Sequence, residues 1–103
     1  MQQLIDSGLK GKLNELVLEK KTPILGICVG LQVMGYHSEE GDLPGLGWIP
    51  GQVKKFDRAK IELKPKLPHM GWNVINDTQN HDIFKGIDKE FGFYFVHSFY
   101  FEC

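Results

Sequence analysis

The apolar positions of the first twenty residues fall at helical spacing. Leu4, Ile5, Leu9, Leu13, Leu16 and Val17 recur on one side of a helix of about 3.6 residues per turn, with Gly8 and Gly11 interrupting. The pattern predicts a short helix to about Ser7, a stop at Gly8 and a second helix from about Lys12 to Lys20. Lys20 and Lys21 suit the C-terminal end of that helix, where cations meet the negative end of the dipole. Residues 22–28 form a short apolar run around a proline, the pattern of a buried parallel strand. From Val29 to about Tyr36 helical spacing returns, which puts a sharp turn at Cys28 between strand and helix.

Residues 37–44 are polar and acidic and read as a loop. Residues 46–56 predict one or two strands broken near Pro50 and Gly51, and residues 57–66 an exposed charged connection. Residues 67–75 predict another strand region with a turn near Gly71. Residues 76–86 predict a loop with a helical turn at Ile83 and Phe84. Residues 92–101 give the strongest strand signal, apolar on both faces and so expecting cover on both sides. Helices and strands in this order predict an α/β fold.

Composition adds limits. The 103 residues are 42% hydrophobic and 24% charged, with a net charge of -1. One small domain is expected, over residues 1–103, and there is no basic footprint of nucleic-acid binding. No apolar run reaches membrane-spanning length, and the N-terminal residues lack the pattern of a signal peptide, so a cytoplasmic location is expected. Cys28 and Cys103 do not make a disulfide framework. No His, Cys, Asp or Glu spacing suggests a metal site, and no cofactor is expected.

The chemistry concentrates at Gly26-Ile27-Cys28-Val29-Gly30, a G-x-C-x-G string between a predicted strand and helix. The geometry matches the logic of a nucleophile elbow, in which a tight turn lifts a side chain out of a sheet. Flanking glycines allow backbones to approach, and the Val29 N–H can donate to an oxyanion. The alternative is a buried structural cysteine. Glu39 and Glu40 fit a solvated acidic pair, Trp48 and Trp72 fit core or interface aromatics, and His97 fits a hydrogen-bonded structural histidine.

The longer string Pro23-Ile24-Leu25-Gly26-Ile27-Cys28-Val29-Gly30-Leu31-Gln32 resembles the nucleophile segment of class I glutamine amidotransferases. Three later strings narrow the resemblance to HisH-like glutaminase subunits of imidazole glycerol phosphate synthase. They are Gly45-Leu46-Gly47-Trp48-Ile49-Pro50-Gly51, Pro68-His69-Met70-Gly71-Trp72-Asn73 and Tyr94-Phe95-Val96-His97-Ser98-Phe99-Tyr100. Paralogues in other amidotransfer pathways share these features.

The resemblance implies a flavodoxin-like sheet with flanking helices. It implies that Cys28 attacks the glutamine amide to form a thioester, with the Val29 N–H as an oxyanion donor. It implies that Gly30, Gln32, Glu40, Ser98 and Phe99 contact glutamine. His69, Met70, Trp72 and Asn73 would face a (β/α)8 cyclase-type partner that receives ammonia. The family's general-base His and its Glu lie in an H-P-E string, and its second oxyanion loop has the form P-G-x-G. No H-P-E string occurs here, and no P-G-x-G string precedes Cys28. The expectation is therefore a partial family domain that is inactive alone. A non-catalytic interaction module is the alternative, and self-association through the apolar C-terminal strand is expected.

Overall fold

The computed structural model describes residues 1–61, 67–76 and 81–103. The N-terminal amphipathic stretch folds as α1 (Gln2–Asp6) and α2 (Leu9–Asn14), and α2 widens into a π-helical turn over Glu15–Glu19. Gly8 separates the helices at φ +72°, which glycine adopts without steric penalty. The second helix starts at Leu9, ahead of the expected Lys12. Lys21 ends the run at φ 54°, and the Thr22 N–H closes the last turn on the Leu16 carbonyl at 2.9 Å.

The predicted buried strand over residues 22–28 is not formed. The segment has no strand partner among the described residues, and Leu25 and Ile27 are 64% and 74% exposed. An apolar run becomes a strand only where a neighbouring ladder takes its amides and carbonyls. The helix after Cys28 is also shorter than expected: α3 spans Val29–Gln32 and continues as turns to Tyr36.

Residues 1–55 and 99–103 form one compact unit. Its sheet has three strands in the order β1 (His37–Ser38), β2 (Gln52–Lys55) and β5 (Phe99–Glu102). β1 runs parallel to β2, and β5 pairs antiparallel on the other side, with Val53 opposite Phe101. Val53 and Met34 are the buried apolar side chains among the described residues. Trp48 Nε1 donates to Asn14 Oδ1 at 2.8 Å, fixing residue 48 to the end of α2. Lys54 and Glu102 pair across the ladder at 2.5 Å.

Residues 56–98 form the second unit. Its ladder joins β3 (His69–Asn73) and β4 (Phe93–His97), antiparallel from His69↔His97 to Asn73↔Phe93. Gly71 lies within β3, opposite Phe95, so the expected turn is absent: continuous pairing carries the strand through it. Single turns at Arg58–Lys60, Asp82–Phe84 and Lys89–Phe91 are each capped by the side chain that precedes them. The expected connection at 57–66 and loop at 76–86 lie partly outside the described residues.

The expected single strand over residues 92–101 is two strands. The chain leaves one ladder at His97 and enters the other at Phe99, while the Ser98 carbonyl accepts from the Phe56 N–H at 3.1 Å. On β4 exposure alternates, with Tyr94 and Val96 outward and Phe93, Phe95 and His97 half-buried. One side of β4, and not both, is covered. The chain is thus mixed α/β, with a small sheet and a few helices.

Candidate active site

The Cys28 turn is built by backbone chemistry. The Gly30 N–H donates to the Ile27 carbonyl at 2.9 Å, closing a four-residue turn over residues 27–30. Cys28 occupies its second position at φ 54°, ψ −119°. That is the region a type II′ turn demands there and that glycine normally fills. A side chain placed there costs about 1–3 kcal/mol of backbone strain. Cys28 is exposed, which removes the alternative of a buried structural cysteine.

Behind the turn the chain doubles back on itself. A Cβ on Gly26 would lie 2.9 Å from the Leu31 backbone and 2.8 Å from the Met34 methyl. Gly26 therefore permits the approach between the segment before Cys28 and the turns after it. Gly30 has no neighbour within 4 Å of such a Cβ, so close approach does not explain the second glycine. The Leu31 and Gln32 amides donate to the Cys28 carbonyl at 3.0 and 3.2 Å. Val29 leads α3, where amides have no intrahelical acceptor.

A cavity of about 220 Å³ opens beside this turn. Val29 and Gln32 line it from α3, Ser38 from β1, and Glu40, Asp42 and Leu43 from the loop after β1. Three residues expected at a glutamine site, Val29, Gln32 and Glu40, thus share one cavity. Glu39 turns away: its Oε2 accepts from the Lys55 N–H at 2.6 Å, and its own N–H donates to the Val53 carbonyl at 2.9 Å. The acidic pair is split between an anchoring role and a cavity role. Asp42 and Ser38 were not singled out by sequence reasoning, because nothing in a polar loop's pattern marks which side chains turn inward.

Phe99 opens β5 opposite Lys55, in the same unit as Cys28. Ser98 belongs to the second unit and is half-buried. The residues expected at a partner interface lie on β3. Met70 and Trp72 point outward at 58% and 70% exposure, with Val96 and Tyr94 directly opposite them on β4. His69 and Asn73 belong to the other side of the strand. Asn73 Nδ2 lies 3.0 Å from His69 Nε2, and His69 Nδ1 lies 3.0 Å from His97 Nε2. His97 is the hydrogen-bonded histidine expected from the sequence, and its partner is His69. Among the described residues no group of His, Cys, Asp and Glu could hold a metal ion, and no helix is long and apolar enough to cross a membrane.

The pattern of the Glutamine amidotransferase class-I family matches residues 6–103, across both units. The chain belongs to the class I glutamine amidotransferases. Among its relatives it is similar to imidazole glycerol phosphate synthase subunit HisH of Leptospira borgpetersenii, at 46% identity over 103 residues. That match covers 100% of this chain and 50% of the relative. The HisH subunit of Neisseria meningitidis serogroup A is 48% identical over 97 residues, covering 89% of this chain and 46% of the relative. That of Nitrosomonas europaea is 47% identical over 104 residues, covering 97% and 48%. The chain spans about half the length of the curated relatives it matches.

Proposed function

We propose that Cys28 is the nucleophile of a glutamine-dependent ammonia-forming reaction. Its sulfur attacks the side-chain amide carbon of glutamine, the C–N bond breaks, and the thiol proton leaves with the amine as ammonia. A glutamyl thioester remains on Cys28, and the Val29 N–H donates to the oxyanion formed on the way. Gly30, Gln32, Glu40 and Phe99, which share the unit of Cys28, contact the substrate. The observation that carries this reading is the exposed Cys28 held at the glycine-type position of its turn. Strain of that kind persists where presentation of a side chain is useful.

The relatives are named as subunits of imidazole glycerol phosphate synthase. We place this chain in the same cytoplasmic chemistry, passing ammonia to a cyclase-type (β/α)8 partner for histidine synthesis. Release of the thioester in the family uses the His and Glu of an H-P-E string. These 103 residues contain no such string, so by themselves they acylate without sustained turnover. The test is mass spectrometry after incubation with a diazo-ketone analogue of glutamine. One adduct on Cys28, lost in Cys28→Ser, is expected. Absence of the adduct, or its persistence in Cys28→Ser, overturns the assignment.

A second reading, a non-catalytic interaction module, is favoured by one feature. Met70, Trp72, Tyr94 and Val96 make an apolar outer face on the β3–β4 ladder. Aromatic residues in such faces dominate binding energy. Binding to a cyclase-type subunit without any Cys28 adduct would support this reading over the first. Self-association through exposed apolar surface is the competing use, and light scattering separates it from binding to the cyclase.

A further inference from the structure

The cavity beside Cys28 has two walls whose separation is set by backbone alone. α3 supplies Gln32 on one side, and the loop over residues 39–44, after β1, supplies Glu40 on the other. The loop closes at a neck. There the Gly45 N–H donates to the Tyr36 carbonyl at 2.8 Å and the Leu46 N–H to that of Val33 at 2.7 Å. The Gly47 N–H donates to Gly35 at 3.0 Å, and the Trp48 N–H to Met34 at 2.8 Å. Successive amides of residues 45–48 therefore meet every carbonyl of residues 33–36, the groups left without partners where the Cys28 turn runs out.

Contact this close requires that Gly45 have no side chain. A Cβ there would run into the Gly35 carbonyl oxygen and lie 3.0 Å from that of Val33. The far side of the neck is as tight. Gly35 is buried, and a Cβ on it would lie 2.9 Å from the Gly51 carbonyl oxygen and 3.0 Å from the Phe101 ring. Past the neck, the parallel pairing of β1 with β2 and the Glu39 N–H bond to Val53 hold the start of the loop.

We propose that Gly45, itself among the residues lining the cavity, is a positioning residue for glutamine: it sets the span between Gln32 and Glu40. This rests on the glutamine reading of the cavity given above. A Cβ at residue 45 forces the neck apart and moves the Glu40 wall. The Cys28 turn over residues 27–30 takes no part in the neck and keeps its own Gly30 N–H to Ile27 carbonyl bond. Affinity and reactivity should therefore separate.

The experiment follows Cys28 alkylation by two reagents in wild type, Gly45→Ala and the remote control Gly11→Ala, whose Cβ meets nothing within 4 Å. One reagent is the diazo-ketone analogue of glutamine over a concentration series. The other is iodoacetamide, which needs no binding site. In Gly45→Ala the half-saturating concentration of the analogue should rise about tenfold or more. Its maximal labelling rate and the iodoacetamide rate should stay within about twofold of wild type. Saturable wild-type labelling that Gly45→Ala reproduces unchanged overturns the inference alone. So does an equal loss with both reagents in a folded variant. Wild-type labelling that does not saturate overturns the glutamine reading, and this inference with it. Hydrogen exchange on the wild type gives a second check without substitution. The amides of residues 45–48 should be protected together, and free exchange at Gly45 overturns the proposal.

Discussion

At the scale of single residues, the proposed role of Cys28 and the stability of its turn pull against each other. Its φ of 54° suits glycine, so Cys28→Gly should relieve strain and stabilise the chain by about 1 kcal/mol in urea denaturation, while labelling is abolished. A fall in stability would show that the turn is held by the side chain. Gly26→Ala should act in the opposite sense. The added methyl meets the Leu31 backbone, so the turn must shift, and Cys28 labelling by the glutamine analogue should fall. In the small core, Val53→Ala removes buried methyl groups, and a loss of about 2 kcal/mol is expected by the same urea titration.

At the scale of elements, what was legible in the sequence was whatever depends on local pattern. Gly8 as a stop, the helix end at Lys20, the turn at Cys28 and the helical turn at Ile83 and Phe84 are all local, and all formed. What failed depends on pairing. Residues 22–28 have strand composition without a ladder, and residues 92–101 contain two strands because β2 and β3 claim different parts of one apolar run. The cavity was half legible: Gln32 and Glu40 came from the resemblance, whereas the glycine neck shows only as close backbone contacts. Ion pairing also works at this scale. Glu15 bonds both Lys12 and Lys20, which hold its carboxyl below the usual value of 4.5. A lowered folded-state value gives stability that is present above 4.5 and lost as pH falls through the folded value. Glu15→Gln should therefore lower the melting temperature slightly at neutral pH, and the gap should close in acid and in high salt.

At the scale of the whole molecule, the candidate features fall in different units. The unit of residues 1–55 and 99–103 carries Cys28 and the cavity, and residues 56–98 carry the exposed aromatic face. Trp72→Ala should weaken binding to a cyclase-type partner by about 2 kcal/mol in calorimetry, leaving Cys28 labelling unchanged. Unchanged affinity would show that the β3–β4 face is not the docking surface. The same division makes the protein its own optical reporter. Its two tryptophans fall one to each unit: Trp48, half-buried with its indole N–H held by Asn14, and Trp72, open to water. Their emission should differ in colour, Trp48 bluer and Trp72 redder. A single-tryptophan version of each kind would then record the melting of one unit at a time and show whether the Cys28 turn and the exposed aromatic face are lost together.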